Sequence, residues 1–425
     1  MTSPIREAPA DQAWRDKARA LDRYRWQLLR EHHSWIGSLV RFAREALADL
    51  VLGWRAQRAL PSVVATSGEP CDFLLLQASA KVIPLRRKHL LIEALRQAGY
   101  CLQEEAIRPL AQVVAQGHLA RPPAPVPLRY FALAAYAQWW VAHYRPRVLL
   151  NDRNGSLLVP FLRLALHAQG AVLVHLAHAS TVEGSRKLSM NDYDYYLLFG
   201  QSSLQALRAR RLRFGTSRAL LSGSHMIDAS YSLPPPRVEW RTLLILGVGP
   251  DKEKEPGYRR SYALLAQWAR RHPEYRVLIK RHPRSQVPFW QQAALPNLEV
   301  LPAECSLAEA LARASVVVNL QSNAVIEAAL AGRPVLYVND GQALDIFDQV
   351  RFFGAAIDDL AQLESRLAAL EQEYPGALER ARAFADFHLA HGAHGLACCV
   401  RVLTALQAGQ ALPDDIQASE LAGSR

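Results

Sequence analysis

The sequence predicts an α/β protein of two doubly wound domains, preceded by a helical extension. Short runs rich in Val, Ile and Leu recur along both halves of the 425-residue chain, and helical patterns separate them. Apolar runs of this length are typical of parallel strands covered on both faces, and their alternation with helices indicates βαβ units. Half of the residues are apolar, which is enough for two buried sheets.

Residues 1–60 form the predicted extension, in which aromatic and apolar residues alternate with Arg and Lys. An amphipathic helix of this composition can bind an anionic membrane surface, and it can equally pack on the rest of the protein. Both interpretations stay open at this point. Residues 62–70 are rich in turn-forming residues and are predicted to be a hinge.

The first domain is predicted over 61–235. Its expected strands are 72–77, 148–150, 171–176, 195–200 and 219–223. Its expected helices are one that ends before Gly99, a natural residue to follow a helix, and those at 131–143, 156–168 and 201–211. The proline-rich segment 232–238 is the expected linker to the second domain.

The second domain is predicted over 236–408, and residues 409–425 are expected to be a disordered tail. The expected strands are 241–246, 276–280, 316–320 and 335–339, and the expected helices are 259–271, 306–314 and 323–331. Residues 355–408 are mostly helical by pattern. We therefore predict two Rossmann-like halves that face each other across a cleft.

The formal net charge is +11, which suits nucleic acid, an anionic membrane or an acidic substrate. The basic residues are dispersed and no nucleic-acid-binding motif is visible, so we expect no nucleic-acid partner. The five cysteines form no CxxC pair, and the first 20 residues lack an apolar signal region. No apolar run is expected to reach the roughly 20 residues needed to span a bilayer. A cytoplasmic protein with reduced thiols is expected.

Basic and polar residues cluster where two predicted strands of the second domain end. They are Lys280, Arg281, His282 and Arg284 on one side, and Ser322 and Asn323 on the other. Ligands of doubly wound sheets bind at the carboxyl ends of the strands, so this pattern predicts an anion-binding crevice. Ser322 and Asn323 also suit the N-cap of the helix that follows, whose N-terminus would attract phosphate. Ordinary capping, and a plain His-Pro turn such as His272-Pro273, are the competing explanations.

Two further features of the second domain could contribute to a ligand site. Glu327 lies one helical turn after Asn323, among apolar neighbours, and a buried glutamate needs a partner. Gly247 and Gly249, in LGVGPD, permit either a close approach to a ligand or a tight turn. This segment is not a GxGxxG dinucleotide motif.

The first domain offers two candidates for a general base. Asp152 follows the strand 148–150, and His178 follows the strand 171–176, so both are expected at the same edge of the sheet. An Asx turn is the competing account of Asp152, and a core or loop histidine that of His178. His175, within the strand, is expected to be structural. No metal-binding or paired-carboxylate motif is visible, so neither a metal nor another cofactor is expected to be required.

These residues resemble the GT-B glycosyltransferases that build bacterial surface polysaccharides. More narrowly, the chain is similar to the group of capsule-biosynthesis enzymes, sialyl- or Kdo-transferases and CDP-glycerol glycerophosphotransferases. The resemblance covers about 72–405. The residues that carry it are His282-Pro283, Ser322-Asn323 with Glu327, Gly332-Arg333-Pro334-Val335, His175-Leu176-Ala177-His178, Asp192-Tyr193-Asp194 and Gly223-Ser224-His225. The chain departs from the group at Ala179, where His-Gly is common, and in lacking an acidic D/E-D/E-G triplet.

The resemblance implies transfer of a sugar or polyol phosphate from a nucleotide donor in the second domain. The implied acceptor is a glycan or glycolipid held by the first domain, with inversion and with His178 or Asp152 as base. It also implies that Glu327 binds the ribose hydroxyls, and that His282 and the Ser322 helix end stabilise the leaving nucleotide. The implied donor is a cytidine nucleotide. An anionic inner-membrane surface is a further expected partner.

Two other functions fit the same sequence. A UDP-sugar 2-epimerase shares the two-domain shape. A non-catalytic subunit for glycan assembly would explain the missing acidic triplet.

Overall fold

The computed structural model describes residues 10–61, 70–177, 179–180, 185–285, 289–340 and 343–423. The strands are β1 (Phe73–Gln77), β2 (Leu102–Ala106), β3 (Val148–Asn151), β4 (Val172–Leu176), β5 (Tyr195–Leu198), β6 (Thr216–Leu221), β7 (Thr242–Leu246), β8 (Arg276–Lys280), β9 (Leu298–Val300), β10 (Val316–Asn319), β11 (Val335–Tyr337) and β12 (Ala418–Ala422). The helices are α1 (Ala10–Arg30), α2 (Trp35–Arg58), α3 (His89–Gln97), α4 (Leu110–Ala115), α5 (Leu128–Tyr144), α6 (Val159–His167), α7 (Gln201–Ala209), α8 (Pro250–Glu253), α9 (Pro256–Arg271), α10 (Phe289–Ala293), α11 (Leu307–Ala312), α12 (Val325–Leu330), α13 (Gln349–Phe353), α14 (Leu360–Gln372), α15 (Tyr374–His388) and α16 (Gly395–Gln407).

The chain divides into two compact units, each built around one sheet. Unit 1 comprises the residues up to 198, 203–226 and those from 397 onward, and unit 2 comprises 199–202 and 227–396. The boundary between the two domains was predicted at 235/236, nine residues after the observed boundary at 226/227. The predicted second domain also includes α16, whereas this helix belongs to unit 1 from Ala397 onward.

Unit 1 contains a seven-stranded sheet in the order β12-β6-β5-β4-β3-β1-β2. All neighbouring strands are parallel except β12, which pairs antiparallel with β6. Every residue of β1 and β3 is buried, as the apolar runs predict. The prediction of a disordered tail is wrong for β12, whose backbone extends the sheet by one strand.

Unit 2 contains a five-stranded parallel sheet in the order β11-β10-β7-β8-β9. Its predicted strands are observed with ends that differ by at most two residues, and β9 was not predicted. Helix α9 covers the sheet with Tyr262, Leu265 and Trp268, which join the buried core. The predicted fold class is confirmed: two α/β units with parallel sheets, preceded by a helical segment.

Helices α1 and α2 pack on unit 1. Trp14, Leu21 and Tyr24 of α1 are buried, and Trp14 stacks on Phe161 of α6 with a ring separation of 5.9 Å. The packed alternative for residues 1–60 therefore holds for these helices. The predicted hinge at 62–70 lies outside the described residues except for Pro70.

In the described part of the chain, one segment is long and apolar enough to cross a membrane by length and composition. This segment is Tyr374–Gln407, which contains α15 and α16. The sequence analysis did not predict it. Phe384, Val402 and Leu403 within it are buried in the protein core. Core helices pass the same test, so the finding is weak evidence for a span.

Candidate functional site

The carboxyl ends of β7, β8 and β10 lie at one edge of the unit 2 sheet, because these three strands are adjacent and parallel. The segments that follow them contain most of the predicted nucleotide-binding residues. They are Gly247 and Gly249 after β7, Arg281, His282 and Arg284 after β8, and Ser322 and Asn323 after β10. The fold therefore collects at one edge residues that are dispersed over the sequence.

Direct contacts hold these three segments together. The Gly247 amide donates to the Lys280 carbonyl at 2.8 Å, and a Cβ on Gly247 would lie 2.8 Å from the amide nitrogen of His282. Glycine is thus required for the close approach of one loop to another. The Lys252 ammonium donates to the Gln321 carbonyl at 3.3 Å, which links the loops after β7 and β10. A Cβ on Gly249 would meet open space.

The turn after β8 orients the imidazole of His282. The Arg284 amide donates to His282 Nδ1 at 3.1 Å, so in the neutral ring the proton is on Nε2. Arg281 is half-buried and Arg284 is exposed. Lys280, by contrast, donates its ammonium hydrogen bond to the Cys305 carbonyl, which commits it to a neighbouring loop. The turn therefore presents two guanidinium groups and one imidazole.

The turn after β10 differs from the prediction. Helix α12 begins at Val325, Ala324 occupies its N-cap, and no side chain caps it within the described residues. The predicted capping by Ser322 and Asn323 is therefore wrong. The Ser322 amide donates a hydrogen bond to Asn319 Oδ1 at 3.1 Å. With six residues, α12 also has a smaller dipole than the predicted nine-residue helix would have.

A buried polar cluster at the ends of β10 and β11 was not predicted. Gln321 Nε2 and Asn339 Nδ2 both donate to the Tyr337 hydroxyl at 2.8 Å. Gln321 Oε1 is buried without a hydrogen-bond partner among the described residues. Asn339 also lines a neighbouring cavity of about 250 Å³. The feature of the sequence that could have predicted this cluster is the occurrence of polar residues directly after apolar strands.

Glu327 lies in α12 near the Tyr231 phenol. Burial raises the pKa of the Glu327 carboxyl to about 7, while burial and the nearby carboxylate raise the pKa of Tyr231. Part of the Glu327 side chain still reaches solvent. This carboxyl therefore changes charge near neutral pH, as the sequence did not predict.

In unit 1, a cavity of about 390 Å³ surrounds Asp152. Its lining includes Ala78, Val82, Arg87, Lys88, Asp152, Arg153, Asn154, Ala179, Ser180, Ser185, Lys187, Leu188 and Met226. Asp152 follows β3, as predicted, and Lys88 directly precedes α3. The cavity therefore lies near the carboxyl end of β3, where the first-domain site was expected.

The Asp152 carboxylate forms a buried ion pair with Lys88. Lys88 Nζ lies 2.6 Å from Asp152 Oδ2, and the two side chains are only 2% and 6% exposed. Lys88 also donates to Gln77 Oε1 at 3.3 Å. Asp152 Oδ1 is buried without a hydrogen-bond partner among the described residues. One carboxylate oxygen thus binds the lysine, and the hydrogen-bonding capacity of the other is unused within the described residues.

Three further cations line this cavity: Arg87, Arg153 and Lys187. All three are exposed, and within the described ranges none forms an ion pair. With Lys88, the lining carries four positive charges against the single carboxylate of Asp152. The cavity therefore favours an anionic ligand.

His175 is structural, as expected. Its Nδ1 accepts from Asn151 Nδ2 at 2.8 Å, its Nε2 lies 2.7 Å from Asn154 Oδ1, and its ring stacks on Tyr193. These bonds hold the loop after β3, which carries Asp152. His178 lies outside the described residues, so its role as a base stays a prediction. In the described part, no group of three or more His, Cys, Asp or Glu residues could hold a metal ion.

Replacing Glu327 with Gln should change how stability depends on pH. The folded state binds this proton more tightly than the unfolded chain, whose pKa is near 4.5, so wild-type stability should fall as the pH rises from 4.5 to about 7. Glu327→Gln has no ionisable group at this position, so its free energy of unfolding should not show this fall. Relative to wild type, its free energy of unfolding should therefore rise by up to about 3 kcal/mol across this range, and by less because Glu327 is partly exposed. Urea unfolding at about pH 5 and about pH 8 measures it. Glu379→Gln, at an exposed position of α15, is the control; equal slopes for wild type and Glu327→Gln would contradict the prediction.

Breaking the Lys88–Asp152 pair should destabilise unit 1. Lys88→Met leaves a carboxylate buried beside an apolar side chain and should cost about 3 kcal/mol. The double variant Lys88→Met/Asp152→Leu removes both charges and should recover most of that loss. A double-mutant cycle by urea unfolding provides the measurement. Additive losses in the double variant would show that the two groups do not interact.

No family model matches the sequence, and no curated protein matches it. Among solved structures, a candidate UDP-N-acetylglucosamine 2-epimerase from Listeria monocytogenes is 12% identical, with a TM-score of 0.53 over 82% of this chain and 99% of that chain. A second UDP-N-acetylglucosamine 2-epimerase is 11% identical, with a TM-score of 0.50 over 81% and 99%. The wall teichoic acid polymerase TagF is 10% identical, with a TM-score of 0.46 over 87% and 98%. Identities this low establish the fold alone, and the fold is of the GT-B type.

Proposed function

We propose that this protein is a GT-B-type glycosyltransferase that moves a sugar or polyol phosphate from a nucleotide donor to a glycan or glycolipid of a surface polysaccharide. The observation that carries the proposal is the joined edge of the unit 2 sheet. There the loops after β7, β8 and β10 contact one another around Arg281, His282 and Arg284. Three positive or hydrogen-bonding side chains from one short turn suit a phosphate ester.

The chemistry of transfer requires such a turn. As the bond to the donor carbon breaks, negative charge grows on the leaving phosphate, and groups already oriented toward it stabilise that charge. The Arg284 amide fixes the imidazole of His282 with its proton on Nε2, the tautomer that can donate to phosphate. Gly247 allows the loops after β7 and β8 to approach each other, and the Lys280 ammonium is bound to the Cys305 carbonyl. Gly249, Ser322 and Asn323 lie in the same loops and are proposed to contact the nucleotide.

Glu327 is proposed to recognise the ribose of the nucleotide. An ionised carboxylate accepts hydrogen bonds from two vicinal hydroxyls, and its pKa of about 7 means that it is partly protonated at neutral pH. Ribose binding would favour the ionised form. Nucleotide affinity would accordingly rise with pH through this range. The preference for a cytidine nucleotide rests on the resemblance around His282-Pro283.

The acceptor is proposed to bind in the unit 1 cavity, close to Asp152. Oδ1 of Asp152 can accept the hydrogen bond of an acceptor hydroxyl, while the ion pair with Lys88 fixes the carboxylate. Asp152, held by Lys88, is proposed to orient the acceptor or to act as the base, and His178 is the other proposed base. The excess of cations around the cavity favours an acceptor with a phosphate or carboxylate group.

A UDP-sugar 2-epimerase is the second candidate, since two structures with this fold at TM-scores of 0.50 or above have that description. The two functions differ in what they consume. An epimerase converts a UDP-sugar without an acceptor, whereas the transferase releases nucleotide faster when an acceptor is present. A non-catalytic subunit would bind nucleotide and turn over no donor.

Nucleotide binding tests the proposed donor site. In isothermal titration with CMP, CDP and UDP, we expect the cytidine nucleotides to bind more tightly. His282→Ala and Arg284→Ala should each weaken binding roughly tenfold, because each removes a hydrogen bond to a charged phosphate. His272→Ala is the matched control, since His272-Pro273 is a second His-Pro pair in the same unit and is bound to Glu274.

Three results would contradict the proposal. Tighter binding of UDP would overturn the cytidine preference, and unchanged affinity in both site variants would overturn the donor site. Acceptor-independent conversion of a UDP-sugar, followed by product chromatography, would establish the epimerase instead.

A further inference from the structure

We infer that the outward face of α2 is a docking surface for an anionic lipid bilayer. Eight of the twelve exposed large apolar residues in the described part of the chain lie on this one helix. We call them the α2 apolar face: Trp35, Ile36, Leu39, Val40, Leu47, Leu50, Val51 and Trp54. Their exposures range from 39% to 70%. Scattered exposed apolar residues are ordinary, but a continuous set on one helix indicates a binding surface.

The helical period places these side chains on one side of α2. Positions 36, 40, 47, 51 and 54 recur at spacings of three, four or seven residues, which share a face of an α-helix. The buried residues of α2, Ser38, Gly53 and Ala56, mark the side that contacts the protein. Helix α2 thus has an inner side that packs on unit 1 and an outer apolar side.

The inner side fixes the direction in which the apolar face points. A Cβ on Gly53 would lie 1.9 Å from the Leu128 carbonyl of α5, so the two helices touch through their backbones. Arg25 of α1 bonds to both Glu45 and Asp49 of α2, at 2.9 and 2.6 Å. Rotating α2 to bury its apolar face would break these contacts. The face therefore stays outward in the folded protein.

The charges on α2 complement an anionic surface. Its two acidic residues, Glu45 and Asp49, are both paired with Arg25. Its exposed arginines are Arg41, Arg44, Arg55 and Arg58, and within the described ranges none of the four forms an ion pair. The guanidinium of Arg58 instead stacks 3.6 Å from the Trp54 ring. Four uncompensated positive charges therefore accompany the apolar face.

These charges favour a bilayer over a second copy of the chain. Two copies of α2 placed face to face would bring arginines against arginines, whereas anionic headgroups neutralise them. Trp35 and Trp54, at the two ends of the helix, suit the headgroup region, and the aliphatic side chains between them suit the upper acyl region. A helix with this division of residues lies in the membrane plane. The α2 apolar face would hold unit 1 on the bilayer.

Vesicle flotation of the full chain tests the inference. Wild type should float with vesicles of phosphatidylcholine and phosphatidylglycerol, less so with phosphatidylcholine alone, and less at high salt. Ile36→Ser/Leu47→Ser/Trp54→Ser should reduce binding on the order of tenfold or more, and Arg44→Gln/Arg55→Gln on the order of tenfold, on the anionic vesicles only. Because all five positions are exposed, the variants should fold like wild type, which circular dichroism verifies.

The matched control is Trp240→Ser/Leu344→Ser/Val350→Ser, which removes three exposed apolar residues from unit 2. It should bind vesicles like wild type. Equal loss in this control, or no binding of wild type to either vesicle, would overturn the inference. A wild-type dimer in sedimentation velocity that the α2 variant abolishes, without vesicle binding, would assign the face to a second copy instead.

Discussion

The burial of both sheets decides where chemistry can take place in this protein. In β7, β8 and β10 the central side chains are at most 1% exposed, so charged or polar ligand-binding groups find no room along the strands. They occur where the strands end. Because the strands are parallel, those ends share one edge in each unit. Gln321 and His282 in unit 2, and Asp152 in unit 1, owe their positions to this constraint.

The same constraint explains how much the sequence could predict. Central strands such as β1, β7 and β10 are continuous apolar runs and were identified to within a residue or two. The strands that were missed lie at sheet edges: β2 (LQEEA), β9 (LEV) and β12 (ASELA). An edge strand pairs on one side only and tolerates polar residues, so its pattern resembles that of a loop.

Details of the candidate sites depended on contacts between distant residues. The Lys88–Asp152 pair joins positions 64 apart in sequence, and no local pattern indicates that a lysine before a helix will be buried. Similarly, Ser322 and Asn323 are good capping residues by type. Helix α12 nevertheless begins at Val325, and the side chain of Asn319, buried at the end of β10, accepts a hydrogen bond from the Ser322 amide. The raised pKa of Glu327 likewise requires its burial to be known.

The net charge of +11 gains meaning from the fold. Basic residues that are dispersed in sequence gather in three places: the exposed arginines of α2, the lining of the unit 1 cavity, and the turn after β8. Our proposals give each place a different anion, namely a bilayer, an acidic acceptor and a nucleotide phosphate. Under these proposals, the excess of basic residues would bind three different anions during one transfer reaction at a membrane surface.

The central claim is that the edge formed after β7, β8 and β10 binds the phosphate of a nucleotide. A crystal structure of the protein with a bound cytidine nucleotide tests it most directly. We predict density for a phosphate within hydrogen-bonding distance of His282 and Arg284, and for a ribose beside Glu327. A nucleotide bound elsewhere, with those side chains turned away from it, would contradict the account.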